Sequence, residues 1–195
     1  MAENYISRKD RIIASAIEII SDSGISALTT KNLAAKENMS EALIYKYFGS
    51  IDEVLVEVVE FYFKYDNMVR KSSLSKEGGY IDKLRYYLET YAEYYDNYYA
   101  IATFMLQYEE LLHNIDTRER ISSCITERIK FIEDLFQNAI DNNEIKGNIS
   151  ASELANNVTG ITMSHILVRR IEYHSKSFKQ EYMANLEKWF ELLKV

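Results

Sequence analysis

The sequence contains no proline and only six glycines among its 195 residues. Proline breaks helices and glycine weakens them, so few positions can interrupt a helix. The chain also lacks the roughly 20 consecutive apolar residues of a membrane-spanning helix, and its N-terminus lacks the apolar stretch of a signal peptide. The single cysteine, Cys124, excludes an intrachain disulfide and suits a reducing compartment. These scarcities predict an all-α protein located in the cytoplasm.

Basic residues are outnumbered by acidic ones, 23 to 30. The formal net charge is −7, which by itself argues against a nucleic-acid partner. Residues 1–48, however, contain six basic and six acidic side chains, so the negative charge lies entirely in the remainder of the chain. A neutral N-terminal part can still present a locally basic face to phosphates, while an acidic body suppresses non-specific binding.

Two short helical patterns meet within residues 29–48. Thr30 is the predicted N-cap of the first helix and Ser40 that of the second, because hydroxyl side chains accept hydrogen bonds from the free N–H groups at a helix start. The inward-facing residues recur at helical spacing, and they are Leu33, Ala34, Ile44 and Phe48.

The joint between the two patterns is Glu37-Asn38-Met39. Asparagine adopts a positive φ more readily than most residues, which permits a tight turn. Met39 is apolar and can fill the space between the two helices. Together these features predict a helix-turn-helix, a motif whose second helix enters the major groove of DNA.

At fixed spacing, several of these positions resemble the TetR family of bacterial transcriptional regulators. The similarity extends from about Ser7 to Leu55, and Ile44-Tyr45-Lys46-Tyr47-Phe48 is similar to the family's Leu/Ile-Tyr-basic-His/Tyr-Phe signature. The resemblance implies an all-α homodimer of about nine helices per chain. It also implies a three-helix DNA-binding domain over residues 1–49 and a helical ligand-binding and dimerisation domain over residues 50–195.

The second helix of the motif carries the predicted base contacts. Because Ile44 and Phe48 face inward, the opposite side of this helix is predicted to face the DNA groove. This side consists of Ala42, Leu43 and Lys46. Apolar side chains suit a thymine methyl group, and a lysine suits a guanine edge or a phosphate. The resemblance adds contacts that mainly hold phosphates and position the protein without specifying sequence: Thr30, Lys31, Ser40, Tyr45 and Tyr47.

Two positions depart from the basic residues that are usual in the family. Glu41 belongs to the predicted DNA-binding set, where its carboxylate can accept from a cytosine amine or cap its own helix but repels phosphate. Ile51 replaces a lysine at the start of helix 4, which removes one backbone contact. The resemblance also brings the start of helix 1 to the DNA backbone, with Arg8, Lys9 and Arg11 as phosphate contacts or as solvated charges.

The body reads as a fourth helix from Ser50 to about Arg70, followed by five helices near 80–98, 100–113, 117–142, 151–174 and 178–193. Ser50 and Glu53 form a predicted capping box at the start of the fourth helix, and three later helix starts are marked by the capping pairs Asp116 with Glu119, Ser150 with Glu153 and Ser177 with Gln180. Nine of the 16 tyrosines lie between Tyr80 and Tyr108, several at heptad-like spacing. Relatives bind inducers in this part, so we predict a pocket for a small hydrophobic or cationic ligand, lined by Tyr87, Tyr91, Tyr94, Phe104, Tyr108 and Glu109. The alternative is an ordinary core whose hydroxyl groups reach water.

No metal or cofactor site is predicted, because Glu110 and His113 form only one ligand pair and no second pair or cysteine cluster accompanies them. No catalytic triad or glycine-rich phosphate loop occurs either, so the chain is not predicted to be an enzyme.

The last two helices carry the predicted dimer interface, since the family pairs these helices with their copies. The interface residues are Leu154, Val158, Ile161, Tyr182, Leu186 and Trp189. A purely intrachain core is the alternative. A dimer is also required functionally, because one short recognition helix reads too little sequence.

The sequence therefore predicts a transcriptional repressor that binds a pseudo-palindromic operator and is released by a small ligand. One alternative is a DNA-bound adaptor whose acidic body recruits a protein partner without a small inducer. Another is a helical enzyme or lipid carrier that has kept the fold but lost DNA binding, for which Glu41 and Ile51 are the only support.

Overall fold

The computed structural model describes residues 7–172 and 176–195, and within these ranges the chain is all-α. The only β-type pairing described is an isolated bridge between Ile145 and Lys194. No helix of the described ranges combines the length and apolarity that a membrane span requires. The predicted fold class is thereby confirmed. His174, which the sequence places in the penultimate helix, lies outside the described residues.

Eleven α-helices and two short 3-10 turns make up the described chain. The first five helices are α1 (Arg8–Ser23), α2 (Thr30–Lys36), α3 (Glu41–Tyr47), α4 (Ile51–Phe63) and α5 (Asp66–Leu74). They are followed by α6 (Tyr80–Asn97), α7 (Tyr99–Phe104), α8 (Tyr108–His113), α9 (Arg118–Asp141), α10 (Ala151–Ile171) and α11 (Phe178–Leu193). The 3-10 turns cover Ile25–Ala27 and Met105–Gln107.

The eleven segments correspond to the nine predicted helices, because two of the predicted helices are each interrupted once. The fourth helix stops at Phe63 and restarts at Asp66, and a 3-10 turn separates α7 from α8. Neither break contains proline or glycine, so no local signal marks it. The predicted starts at Ser150 and Ser177 are confirmed by hydrogen bonds to the backbone N–H groups of the third helical residues.

The described chain divides into two compact units, and the first contains the residues up to Lys64 together with Thr103–Ser122. Helix α1 packs against α2 and α4, and α2 packs against α3. The apolar side of α1 is buried, with Ile20 1% and Ala16 0% exposed. The side chains of Tyr62, Phe104 and Tyr108 pack together in this unit, and the Tyr62 and Phe104 ring centroids are 4.9 Å apart.

The second unit contains Tyr65–Ala102 and the described part of Ser123–Val195. Helix α6 packs mainly against α11 and α5, and α10 packs against α11. The start of α6 is closed by the Glu144 carboxylate, which accepts from the N–H groups of Tyr80 and Ile81 at 2.9 and 3.0 Å. A Cβ on Gly79 would lie 2.5 Å from this carboxylate, so a larger residue there would have to displace the Glu144 side chain.

Candidate functional site

The helix-turn-helix predicted over residues 29–48 is formed by α2 and α3. Asn38 has a φ of 52°, as predicted for the turn between them. Ser40 caps α3 by accepting from the N–H of Leu43 at 3.3 Å. Ile44 and Phe48 are 2% and 1% exposed, so α3 is anchored by its apolar side and its other side is free to face a partner.

The first cap is not the predicted one. Thr29, not Thr30, caps α2, because its hydroxyl accepts from the N–H of Asn32 at 3.1 Å. Thr30 is the first helical residue and is buried, and its hydroxyl lies 3.2 Å from that of Tyr45. Two threonines in succession are both plausible caps, and only the position of α2 decides between them.

The outer side of α3 carries the residues predicted to contact bases. Glu41, Ala42 and Lys46 are exposed, and Leu43 is half-buried. Tyr45 is 55% exposed, and Tyr47 is half-buried. On α2 and its flank, Lys31 and Ser40 are exposed. All predicted DNA contacts except the buried Thr30 therefore have side chains that reach the surface, and their roles stay predictions.

Glu37 is a residue of this unit whose role the sequence did not reveal. Its side chain is only 8% exposed, although it follows α2 at the turn. Its carboxylate accepts from the Ser15 hydroxyl at 2.6 Å and from the Arg11 guanidinium at 2.9 Å. Both partners belong to α1, so Glu37 ties the turn to that helix. An acidic residue in a turn gives no sequence signal for such a contact.

Acidic partners engage three of the six basic side chains counted in residues 1–48. Lys9 pairs with Glu57 of α4, and Arg11 pairs with Glu37. Lys36 pairs with Glu18 at 2.8 Å, and this contact raises the pKa of the Lys36 ammonium group. A phosphate contact by any of these three side chains has to compete with its carboxylate.

The start of α4 shows half of the predicted capping box. The Ser50 hydroxyl accepts from the N–H of Glu53 at 3.0 Å, as predicted. The Glu53 carboxylate does not return the contact to Ser50, however, but accepts from the N–H of Gly49 at 2.6 Å. This contact fixes the connection between α3 and α4.

The predicted ligand residues are divided between the two units. Tyr87, Tyr91 and Tyr94 lie in the second unit, where the Tyr87 and Tyr91 rings are 5.0 Å apart. Phe104, Tyr108 and Glu109 lie in the first unit. Their assignment to a ligand stays a prediction.

Glu109 does not have the surroundings expected of a counter-charge in a pocket. Its side chain is 83% exposed and faces His113 at 3.7 Å, and His113 is 77% exposed. Phe104 is buried, whereas Tyr108 is half-buried with its hydroxyl 3.1 Å from that of Tyr62. Within the described residues, no group of three or more His, Cys, Asp or Glu side chains is arranged to hold a metal ion.

The tyrosines of the second unit surround a buried ion pair that the sequence did not predict. Asp66 of α5 and Arg128 of α9 form a two-fold contact, with both N–O distances 2.6 Å. Their side chains are 7% and 12% exposed. The Tyr91 hydroxyl donates to Asp66 at 2.7 Å, and the Arg128 guanidinium lies 4.9 Å from the Tyr91 ring centroid. Asp66 and Arg128 are 62 positions apart along the chain, so the spacing of residues in the sequence does not predict the pair.

Burial keeps these tyrosines protonated. It raises the pKa of Tyr87 to about 12, even though the positive charge of Arg128 lowers it. Burial likewise raises the pKa of Tyr94 to about 12 and that of Tyr91 still further. The hydroxyl of Tyr91 is therefore a hydrogen-bond donor to Asp66 at any physiological pH.

Four of the six predicted interface residues are buried within the chain itself. Leu154, Val158 and Leu186 are 0% exposed and Tyr182 is 2% exposed, so a partner chain cannot reach them in this conformation. This part of the predicted interface has to be corrected, because these four apolar residues are buried where α10 packs against α11 within the chain. Ile161 and Trp189 are half-buried.

A different side of α10 is apolar and exposed. Leu167, Val168 and Ile171 are 49%, 42% and 65% exposed. Gly160 lies about two to three turns earlier on the same side, and a Cβ placed there would meet nothing within 4 Å. No other part of the described chain therefore crowds Gly160, and the position is open to a partner.

Comparison with known proteins agrees with this architecture. Residues 12–58 match the sequence profile described as bacterial regulatory proteins, tetR family. No curated protein matches the chain in sequence. Residues 12–58 thus match the profile of the family that the sequence resembles, which confirms the predicted resemblance.

Solved structures share the fold over nearly the whole chain. The ketosteroid transcriptional regulator KstR2 of Mycobacterium tuberculosis is 13% identical, with a TM-score of 0.82 and coverage of 97% of this chain and 96% of that one. The TetR family transcriptional regulator PfmR from Thermus thermophilus is 19% identical, with a TM-score of 0.77 and coverage of 90% and 94%. The transcriptional regulator FadR from Bacillus subtilis, solved with stearoyl-CoA, is 16% identical, with a TM-score of 0.75 and coverage of 91% and 95%.

Proposed function

We propose that this protein is a homodimeric, sequence-specific transcriptional regulator of the cytoplasm that represses from a pseudo-palindromic operator and is released by a small ligand. In this proposal residues 1–49 bind DNA, and residues 50–195 bind the ligand and dimerise. The observation that carries it is the orientation of α3, whose apolar side is buried through Ile44 and Phe48 while Ala42 and Lys46 are exposed. This is the arrangement that a recognition helix needs.

The test of DNA binding is selection of genomic fragments by the purified protein, followed by a salt titration on the most enriched fragment. We expect an inverted repeat and a binding constant that falls steeply with salt, because phosphate contacts release counterions. Three of the basic side chains near the motif are already paired with acids, so we expect a smaller salt slope than an all-basic head would give. Absence of any enriched fragment at low salt would contradict DNA binding.

Ala42→Asp tests the assignment of the recognition helix. The added carboxylate would face base edges and phosphates, so we expect operator affinity to fall by about 100-fold or more, the effect of two or more lost or repulsive contacts. The matched control is Ala14→Asp, which places the same charge on the exposed side of α1. Both variants should keep the helical circular dichroism of the wild type. Wild-type affinity in Ala42→Asp would exclude α3 as the recognition helix.

The dimer is supported by the exposed apolar side of α10. A second copy packed there would cover Leu167, Val168 and Ile171, and Gly160 would allow the two backbones to approach closely. A two-fold axis through this side makes the same surface meet itself, as in most homodimers. This corrected set replaces the four buried residues as our proposed interface, alongside the half-buried Ile161 and Trp189.

The ligand response is supported by the aromatic character of the second unit and by one structural relative. The regulator FadR was solved with stearoyl-CoA, a ligand with a long apolar chain, and we infer that the present fold can also bind a ligand with an apolar group. Release would be a population shift, in which about 1–3 kcal/mol of coupling gives roughly 5–150-fold induction. The alternative of a DNA-bound adaptor is separated from this proposal by purification from cells: an inducible regulator retains or binds a small molecule, whereas an adaptor is recovered with a protein.

A further inference from the structure

In the contacts that the structure shows, every partner of the Asp66 carboxylate is a hydrogen-bond donor. Arg128 donates from Nε to Oδ2 and from Nη2 to Oδ1, each at 2.6 Å. The Tyr91 hydroxyl donates to Oδ1 at 2.7 Å. A guanidinium group has no acceptor, and its planar fork matches the geometry of a carboxylate. The three donors therefore form an anion receptor, with Asp66 as its occupant.

The receptor is rigid and little exposed. The guanidinium of Arg128 lies over the Tyr91 ring at 4.9 Å, and its Nη1 is 3.5 Å from the Tyr95 hydroxyl. The Tyr87 ring packs on that of Phe131, with centroids 4.9 Å apart. An arginine held by aromatic rings in a poorly hydrated site loses little freedom when it binds an anion, so the receptor is preorganised for a carboxylate attached to an apolar group.

The occupant belongs to a helix that packs against α6 but buries few apolar side chains. Helix α5 has nine residues, and its buried residues are Asp66, Val69 and Ser73, so only one of the three is apolar. Its other described attachments are polar. Arg70 pairs with Glu127 at 3.0 Å, and the Ser73 hydroxyl donates to the carbonyl of Lys83 at 2.6 Å. Since polar contacts can be exchanged for equivalent ones, Asp66 is a replaceable anchor of α5.

We propose that Arg128 and Tyr91 form a carboxylate-binding site, that Asp66 fills it when no ligand is bound, and that an aliphatic or aromatic carboxylic acid competes with Asp66 for it. Binding of the acid frees α5, which follows α4 after two residues. This inference rests on the proposed function for its regulatory meaning, since the acid would be the inducing ligand. It replaces the cationic ligand predicted from the sequence, because donors and not acceptors converge at this point.

The first experiment empties the receptor and refills it with a free acid. Asp66→Ala leaves Arg128 buried without its carboxylate, which is strongly destabilising, and we expect the unfolding midpoint to fall on the order of 10 °C. Sodium formate or acetate at about 100 mM should recover a large part of this loss, because either anion fits the vacated space and is bound by mass action. Sodium chloride at equal ionic strength should recover none.

Two controls locate the effect. The double variant Asp66→Ala/Arg128→Met lacks the receptor, so formate and chloride should act on it equally. Glu60→Ala breaks the exposed pair between Glu60 and Arg120, whose side chains are 47% and 42% exposed, and formate should not rescue it. If Asp66→Ala does not fold in chloride, its refolding yield in formate against chloride replaces the midpoint as the measurement.

The outcomes are decisive in either direction. Rescue by formate that depends on Arg128 supports the carboxylate site, and equal behaviour in formate and chloride overturns it. Hydrogen exchange then tests the anchor: α5 amides should exchange at least ten-fold faster in Asp66→Ala and slow again in formate. Unchanged exchange in α5 would overturn its release. None of these measurements uses DNA, so their failure is distinguishable from failure of the proposed regulator function.

Discussion

The contact of Glu37 with helix α1 leads to a quantitative prediction for Glu37→Ala. The Ser15 hydroxyl is 8% exposed and donates to the Glu37 carboxylate at 2.6 Å. Deleting the carboxylate leaves this hydroxyl buried without that acceptor. A hydrogen bond to a charged group contributes about 1.5–3 kcal/mol. The ion pair with Arg11 adds little, because Arg11 is 54% exposed and such pairs contribute about 0–1 kcal/mol.

We therefore expect Glu37→Ala to lower the free energy of unfolding of the first unit by about 2 kcal/mol. Glu18→Ala is the matched control, since Glu18 also bridges α1 to α2 through Lys36 but is 58% exposed. The control should cost less than about 1 kcal/mol. If the free energy of unfolding falls by about 2–3 kcal/mol per molar urea, the urea concentrations at the unfolding midpoints of the two variants should differ by roughly 0.5 M.

The assay is urea unfolding followed by circular dichroism, with hydrogen exchange of the α1, α2 and α3 amides to assign the loss to this unit. Exchange should accelerate in all three helices of Glu37→Ala, because the carboxylate joins the turn to α1. If Glu37→Ala and Glu18→Ala lose the same stability, burial of the Ser15–Glu37 contact does not matter and the reasoning is wrong.

Two further predictions concern the second unit. Burial alone would raise the pKa of Asp96, but hydrogen bonds from Ser177 and Phe178 and the charge of Arg169 lower it below its usual 3.8. A carboxyl group with a depressed pKa stabilises the fold at pH above its pKa in the unfolded chain, and this contribution is lost as the pH falls through its pKa in the folded chain. The free energy of unfolding of Asp96→Asn should therefore depend less on pH below about 4 than that of the wild type. Parallel plots of unfolding free energy against pH for the two proteins would contradict the assignment. Leu167→Asp should raise the dimer dissociation constant measured by sedimentation by about 100-fold or more, because it buries an unpaired charge at the proposed interface. The control is Leu74→Asp, at a leucine of α5 that is equally exposed, and it should leave the constant unchanged. An unchanged dissociation constant in Leu167→Asp would exclude that side of α10 as the interface.

Charge distribution gives the N-terminal part a modest affinity for DNA in our interpretation. The counts of basic and acidic residues already predict a neutral segment, and the structure adds that Lys9, Arg11 and Lys36 each contact a carboxylate. When a paired basic side chain leaves its carboxylate to bind a phosphate, one ion pair is lost for each one formed. The free energy gained on binding is therefore smaller than for a lysine without such a partner. In the proposed function, specific contacts from α3 then have to supply a larger share of operator affinity.

The sequence by itself determined the features that depend on neighbours within about four residues. The caps at Ser40 and Ser150, the positive φ of Asn38 and the burial of Ile44 and Phe48 all follow from local spacing. Each involves a backbone group or a helix side that the adjacent residues define completely. For this reason the sequence alone predicts the helix-turn-helix.

Only the tertiary structure decided the contacts between distant residues and the choice between equivalent sides of a helix. The partners of Glu37 lie 22 and 26 residues away, and those of Asp66 lie 25 and 62 residues away. Helix α10 has apolar residues on two sides, and hydrophobic spacing alone cannot tell which side packs within the chain. Packing against α11 buried the side containing Val158 and left the side containing Leu167 exposed, because a helix of one chain can cover only one side of its neighbour.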